Sequence, residues 1–130
     1  MTRLLIVDDD APIRETLREA LEDEGYEVEE AADGLAALEK LRASQEGMVV
    51  LLDHLMPKLD GVAMLRTIQT DPRLARRHVY ILLTARSRMT TSVHDLATTL
   101  KVTIVRKPFD LEILFQTVAQ AATILNSAKH

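Results

Sequence analysis

The chain has 130 residues, of which 47% are hydrophobic and 28% charged, with a formal net charge of −4. That is one domain's worth of chain, 1–130, with enough apolar material to bury a core, and its mild acidity gives no general electrostatic pull on nucleic acid or anionic membrane. It has no cysteine, so disulfides, thiolate metal sites and thiol nucleophiles are excluded. No apolar run nears the ~20 residues of a membrane helix, and the N-terminus lacks the form of a signal peptide.

Leu4 to Val7 is a short apolar run and reads as a strand. From Pro12 to Glu24, Ile13, Leu17, Ala20 and Leu21 recur on one helical face. Asp10 suits its N-cap, Pro12 its first turn and Gly25 its stop. Tyr26 to Glu29 alternates apolar and acidic residues, which predicts an edge strand with one wet face. Gly34 to Ala43 reads as a helix with Leu35, Leu38 and Leu41 inward. Met48 to Leu52 is apolar throughout, as in a central parallel strand. A helix over Val62–Thr70 turns Val62, Leu65 and Ile68 inward, and Arg73, Arg76, Arg77 and His78 read as a basic loop. Val79 to Leu83 is a further buried strand. Met89 to Leu100 keeps helical spacing at Val93, Leu96, Ala97 and Leu100, although its threonines and serines are poor helix formers. Val102 to Val105 is the fifth strand, and Asp110 to Ser127 the last helix, with a stripe of Leu111, Leu114, Phe115, Val118, Ala122 and Leu125.

Five successive βα units predict an α/β fold, a parallel sheet covered by helices on both faces. Ligands in such sheets gather beyond the carboxyl ends of the strands. Asp8, Asp9 and Asp10 follow the first strand, Asp53 the third, Thr84 the fourth, and Lys107 and Pro108 the fifth. Taken singly, the aspartates read as caps or turn residues, Thr84 as a β-branched strand residue and Lys107 as a surface lysine. Together they bring carboxylates, a hydroxyl and an amine to one edge. Clustered carboxylates raise one another's pKa or attract a cation, and Mg²⁺ suits one or two carboxylates beside a phosphoryl group. A lysine and a hydroxyl complete the equipment of phosphoryl transfer, with a carboxylate available as nucleophile.

The acidic pair in "IVDDD", "LLDHLMPKLDG" from Leu51, "LLTA" from Leu82 and "VRKPF" from Val105 occur in an order and spacing that resembles the receiver domains of two-component response regulators, the CheY-like proteins. The resemblance covers essentially the whole chain. It implies a (βα)5 doubly wound, flavodoxin-like sheet of order 2-1-3-4-5. It also implies a switch that accepts a phosphoryl group from a histidine kinase or phosphotransfer protein, in the cytoplasm, without being an enzyme toward other substrates. By motif position Asp53 is the phosphoacceptor. Asp9 and Asp53 are direct Mg²⁺ ligands, Asp8 acts mainly through water, and the Leu55 carbonyl is the third ligand. Lys107 contacts phosphoryl oxygens through a loop with cis Pro108, and Thr84 moves on activation. Output, including possible homodimerisation, falls to the face of the fourth helix, fifth strand and fifth helix. Asp10 matches no site position and remains a helix cap.

The chain departs from that family's pattern at Ile104, where an aromatic is common, and at Leu100-Lys101, in place of Gly-Ala, so the connection into the fifth strand is expected to differ. Leu55 and Arg86 occupy the positions that line the path of attacking water. Neither favours water attack, so slow self-dephosphorylation is expected. His54, His78, His94 and His130 are expected at the surface, with His54 placed to tune access to Asp53. Other classes fit less well. A dehalogenase-type phosphohydrolase wants its nucleophile after the first strand and a cap insertion. A flavodoxin-like cofactor site would not place three aspartates against a phosphate. A binding module working without phosphorylation would have no use for the full set of acids, Thr84 and Lys107.

Overall fold

The computed structural model describes residues 2–56, 59–85, 95–96 and 99–127. Strands β1 (Arg3–Val7), β2 (Glu27–Ala31), β3 (Val49–Asp53), β4 (Val79–Thr84) and β5 (Val102–Arg106) form one parallel sheet of order β2-β1-β3-β4-β5. Between and after them lie helices α1 (Ala11–Asp23), α2 (Gly34–Ala43), α3 (Gly61–Gln69), α4 (Pro72–Arg77) and α5 (Leu111–Ser127).

The two-residue period of a strand divides the core between two faces. Leu5, Val7, Val50, Leu52, Tyr80 and Leu82 pack with α2, α3, Leu96 and Leu100. Leu4, Ile6, Val49, Leu51, Ile81 and Leu83 pack with α1 and α5. The central strands are therefore apolar at every position, because neither face meets water. β2 lies at the sheet edge, as its alternation predicts, with Glu27 exposed and Val28 buried. Val28 enters one core and Ala31 the other, while Glu29 pairs with Arg3 and Glu30 with Arg14 and Arg18. The side that carries Glu27 and Glu29 stays partly wet, since Glu27 is exposed and the Glu29 side chain is 36% exposed, although Ala31 at its end is buried.

Each described helix begins at an aspartate whose carboxylate accepts a first-turn N–H: Asp10 from Ile13, Asp33 from Ala36, Asp60 from Ala63, Asp71 from Leu74 and Asp110 from Ile113. Such a cap satisfies a donor that the helix leaves orphaned. Gly25, at φ +97°, ends α1 in a left-handed turn that a side chain would strain.

Other expectations are revised. Ile13, Leu35 and Leu111 are 47%, 54% and 44% exposed rather than inward. Ile13 and Leu111 lie in first turns, and Leu35 lies off the face on which α2 buries Gly34, Ala37, Leu38 and Leu41. The basic loop is helix α4, started by Asp71 and Pro72. His54 and His78 are buried, not at the surface. His78 accepts the Met48 N–H at Nδ1 (3.0 Å); His94 and His130 lie outside the described residues. The predicted helix at 89–100 also falls mostly outside them. Its Leu96 and Leu100 are buried as expected, joined by a Leu100 N–H to Leu96 carbonyl bond of 2.9 Å.

Candidate functional site

β1 ends at Val7, and the chain leaves the sheet as it reaches the acids. The Asp8 N–H still donates to Ala31 (3.2 Å), so the first acid is held as an extension of the strand. Its side chain is buried, with Oδ1 accepting the Asp10 N–H at 2.9 Å. Arg14 Nη1 donates to the Asp8 carbonyl (2.7 Å) while its Nε donates to Glu30 (2.8 Å). Asp9 is exposed. Asp10 turns its carboxylate to the helix, as expected of a cap.

Asp53 is the last residue of β3, its side chain 13% exposed. Lys107 Nζ donates to its Oδ1 at 2.8 Å. The lysine is placed by its own backbone, whose N–H donates to the Thr84 carbonyl (2.8 Å), and the Lys107–Pro108 bond is cis. Thr84 closes β4, 1% exposed, with its hydroxyl 2.8 Å from His54 Nδ1. Gly61 lets α3 start against this strand end. A Cβ there would sit 2.5 Å from the Asp53 carbonyl oxygen and 3.1 Å from His54 Cα, both backbone atoms that cannot give way cheaply.

Asp8, Asp9 and Asp53 each offer a carboxylate oxygen, and these lie within 4.8 Å of one another. Burial is the main cause that pushes the Asp8 carboxyl above its ordinary range, and the charges of Asp53 and Asp9 add to it. The Asp10 N–H and the Lys107 ammonium oppose the shift. A hard divalent cation accepts such oxygen donors and relieves their repulsion, so the residues present fit Mg²⁺. The structure therefore brings Asp8, Asp9, Asp53 and Lys107 into one site. Leu55 follows two residues beyond Asp53 with its side chain 59% exposed. Ile104 is partly buried against the core, in register with Leu82. Arg86 lies outside the described residues.

Sequence reasoning missed two contributors, Arg14 and Gly61. Arg14 was hidden among surface charges, although a helix position one turn in from an acid pair was a signal. Gly61 was visible as the glycine after "KLD" but its close approach was not. His54, expected at the surface beside Asp53, is instead buried against Thr84.

A doubly wound parallel sheet whose carboxyl edge holds three carboxylates opposite a lysine defines the class of α/β proteins with an anionic site at the strand ends, of a composition that could hold a cation. Within that class, the chain belongs to the response regulator receiver domain family, which it matches over residues 4–119. It is 49% identical over 69 residues to a transcriptional regulatory protein CpxR homolog from Haemophilus influenzae, covering 53% of this chain and 30% of that protein's length. Its fold is similar to the signal receiver domain of a signal transduction histidine kinase from Syntrophus aciditrophicus, at 28% identity and a TM-score of 0.82, covering 100% of this chain and 94% of that one. A CheY-like receiver domain protein from Methanospirillum hungatei is 29% identical with a TM-score of 0.79, over 98% of this chain and 97% of that one. Among the described residues no helix is long and apolar enough to cross a membrane.

Proposed function

We propose that the chain is a single receiver domain that works as a phosphorylatable switch, with Asp53 as the acceptor of a phosphoryl group from a phosphohistidine. The observation that carries this reading is the pairing of Asp53 Oδ1 with Lys107 Nζ at 2.8 Å, beside the carboxylates of Asp8 and Asp9. An Asp53 oxygen attacks phosphorus, the P–O bond forms as the P–N bond breaks, and the electron pair leaves with the donor imidazole. Lys107 then balances charge on the phosphoryl oxygens, and Thr84 donates a hydrogen bond to one of them. Asp8, Asp9, Asp53 and the Leu55 carbonyl would hold Mg²⁺, which when bound neutralises the crowded carboxylates and the incoming phosphoryl group. The chain's chemistry is then confined to its own aspartate, and it is not an enzyme toward other substrates. Thr84 and Ile104 repack on phosphorylation and pass the change to the face that includes β5 and α5, where an output partner or a second copy docks. A histidine kinase or phosphotransfer protein is the donor, which places the domain in the cytoplasm.

The test is incubation with Mg²⁺ and acetyl phosphate or beryllofluoride, for the intact chain and for Asp53→Ala. The intact protein should gain the mass of one phosphoryl group and bind the mimic, and Asp53→Ala should do neither. Mg²⁺ binding should be lost in Asp9→Ala and kept in Asp10→Ala. An intact chain that takes up no phosphoryl group and ignores the mimic overturns the reading.

A further inference from the structure

The residue after the proposed acceptor is a buried imidazole. The His54 N–H donates to the Leu83 carbonyl (3.0 Å), and its carbonyl accepts the Gly61 N–H (2.8 Å), so β4 on one side and α3 on the other fix its backbone. Its ring is buried as well, with Nδ1 2.8 Å from Thr84 Oγ1. Thr84 is the hydroxyl that must reach the phosphoryl group.

Resting on the reading of Asp53 as acceptor and Thr84 as switch, we propose that His54 is a latch, a positioning residue that holds the Thr84 hydroxyl in its unphosphorylated orientation. A threonine side chain occupies discrete staggered wells, and turning from one to the next carries Oγ1 out of reach of a partner at hydrogen-bond distance. The pairing has the same consequence for either tautomer of the ring. With Nδ1 bare the hydroxyl donates to it; with Nδ1 protonated the hydroxyl accepts. In both cases the contact is broken when Thr84 turns toward a group on Asp53. The ring is buried and its backbone is tied at both ends, so following the hydroxyl would require a change of rotamer within packed surroundings. His54 therefore weights the resting conformer, and phosphoryl binding must overcome that weight before the switch completes.

The experiment is a titration of beryllofluoride with saturating Mg²⁺ on the full chain. His54→Leu should bind the mimic about 2- to 10-fold more tightly, the span of one net hydrogen bond. It should leave Mg²⁺ affinity without the mimic unchanged. His54→Asn, whose amide can stand where Nδ1 stands, should remain near the parent. In a Thr84→Ala background His54→Leu should have no effect, since the coupling is between those two side chains. His54→Met carries the same expectation if the leucine variant does not fold. The latch is overturned if His54→Leu binds the mimic no more tightly than the parent, or if the tightening persists without Thr84. A parent that binds no beryllofluoride at all instead overturns the phosphoacceptor reading on which the latch stands.

Discussion

Asp8 is buried where its charged form is disfavoured, and its folded pKa lies above the unfolded value. The folded chain therefore binds more protons than the unfolded chain in the interval above the ordinary carboxylate pKa. Without a cation, stability falls as pH rises through that interval. Asp8→Asn removes the buried charge, and it should raise metal-free stability at pH 7 by roughly 1 kcal/mol while abolishing Mg²⁺ binding. Urea unfolding and a Mg²⁺ titration on the same variant check both halves. His78 has the opposite sign. Burial is the main cause that lowers its pKa to about 4; the nearby Arg77 charge acts the same way and a backbone contact from Leu41 opposes it. Nε2 is buried without a hydrogen-bond partner among the described residues. Because Nδ1 accepts from Met48, the neutral ring carries its proton on Nε2. The unfolded chain takes up a proton near pH 6.5 and the folded chain only near pH 4. Stability should therefore drop by about 3 kcal/mol on acidification across that window. His78→Asn keeps an acceptor for the Met48 N–H but does not titrate. Its unfolding free energy, measured against pH, should lack this part of the acid loss.

At the scale of elements, α1 and β2 together hold the acid pair. Glu30 leaves the edge strand to meet both Arg14 (2.8 Å) and Arg18 (2.7 Å), and Arg14 passes the contact to the Asp8 carbonyl. Hydrogen bonding from Arg18 leads the causes that lower the Glu30 carboxyl pKa. Glu30 thus contributes stability above its unfolded pKa, and that contribution is lost as pH falls through the depressed folded value. Arg14→Met keeps the apolar stem but frees the Asp8 carbonyl and one oxygen of Glu30. It should cost about 1–2 kcal/mol of stability and weaken Mg²⁺ binding, whereas Arg18→Met, which does not touch Asp8, should leave Mg²⁺ binding unchanged. Parallel denaturant and metal titrations separate the two arginines. The helices also show where periodicity misleads. Leu17 and Leu21 of α1 are buried as their spacing predicts, but Ile13, at the same phase, stands clear of the sheet. A helical stripe tells which side faces the sheet, not how far along the helix the sheet extends.

On the scale of the whole molecule, the sheet order sets the site. Placing β1 and β3 side by side brings Asp8 and Asp9 to Asp53, and β4 and β5 bring Thr84 and Lys107 from the other flank. With Leu55 two residues past the proposed acceptor, 59% exposed and unable to orient a water by hydrogen bonding, an aspartyl phosphate formed on Asp53 should persist for minutes rather than seconds. Loss of phosphoryl group, followed by mass in buffered Mg²⁺ after removal of donor, checks this. A Leu55→Asn variant, which can orient water, should lose it faster.

The strands, their parallel arrangement and the four motif blocks were legible because each depends on a local pattern: an apolar run, a cap, or an acid at a strand end. Asp10 could be separated from Asp8 and Asp9 by its distance from the first helical N–H groups. The sequence by itself thus determined the fold class and the residues at the carboxyl edge. Only the tertiary structure decided that His78 is buried against Met48 and that His54 reaches Thr84. Each of these rests on a contact between residues 30 positions apart in the chain. Such contacts arise when the sheet assembles, and no periodicity along a single segment encodes them.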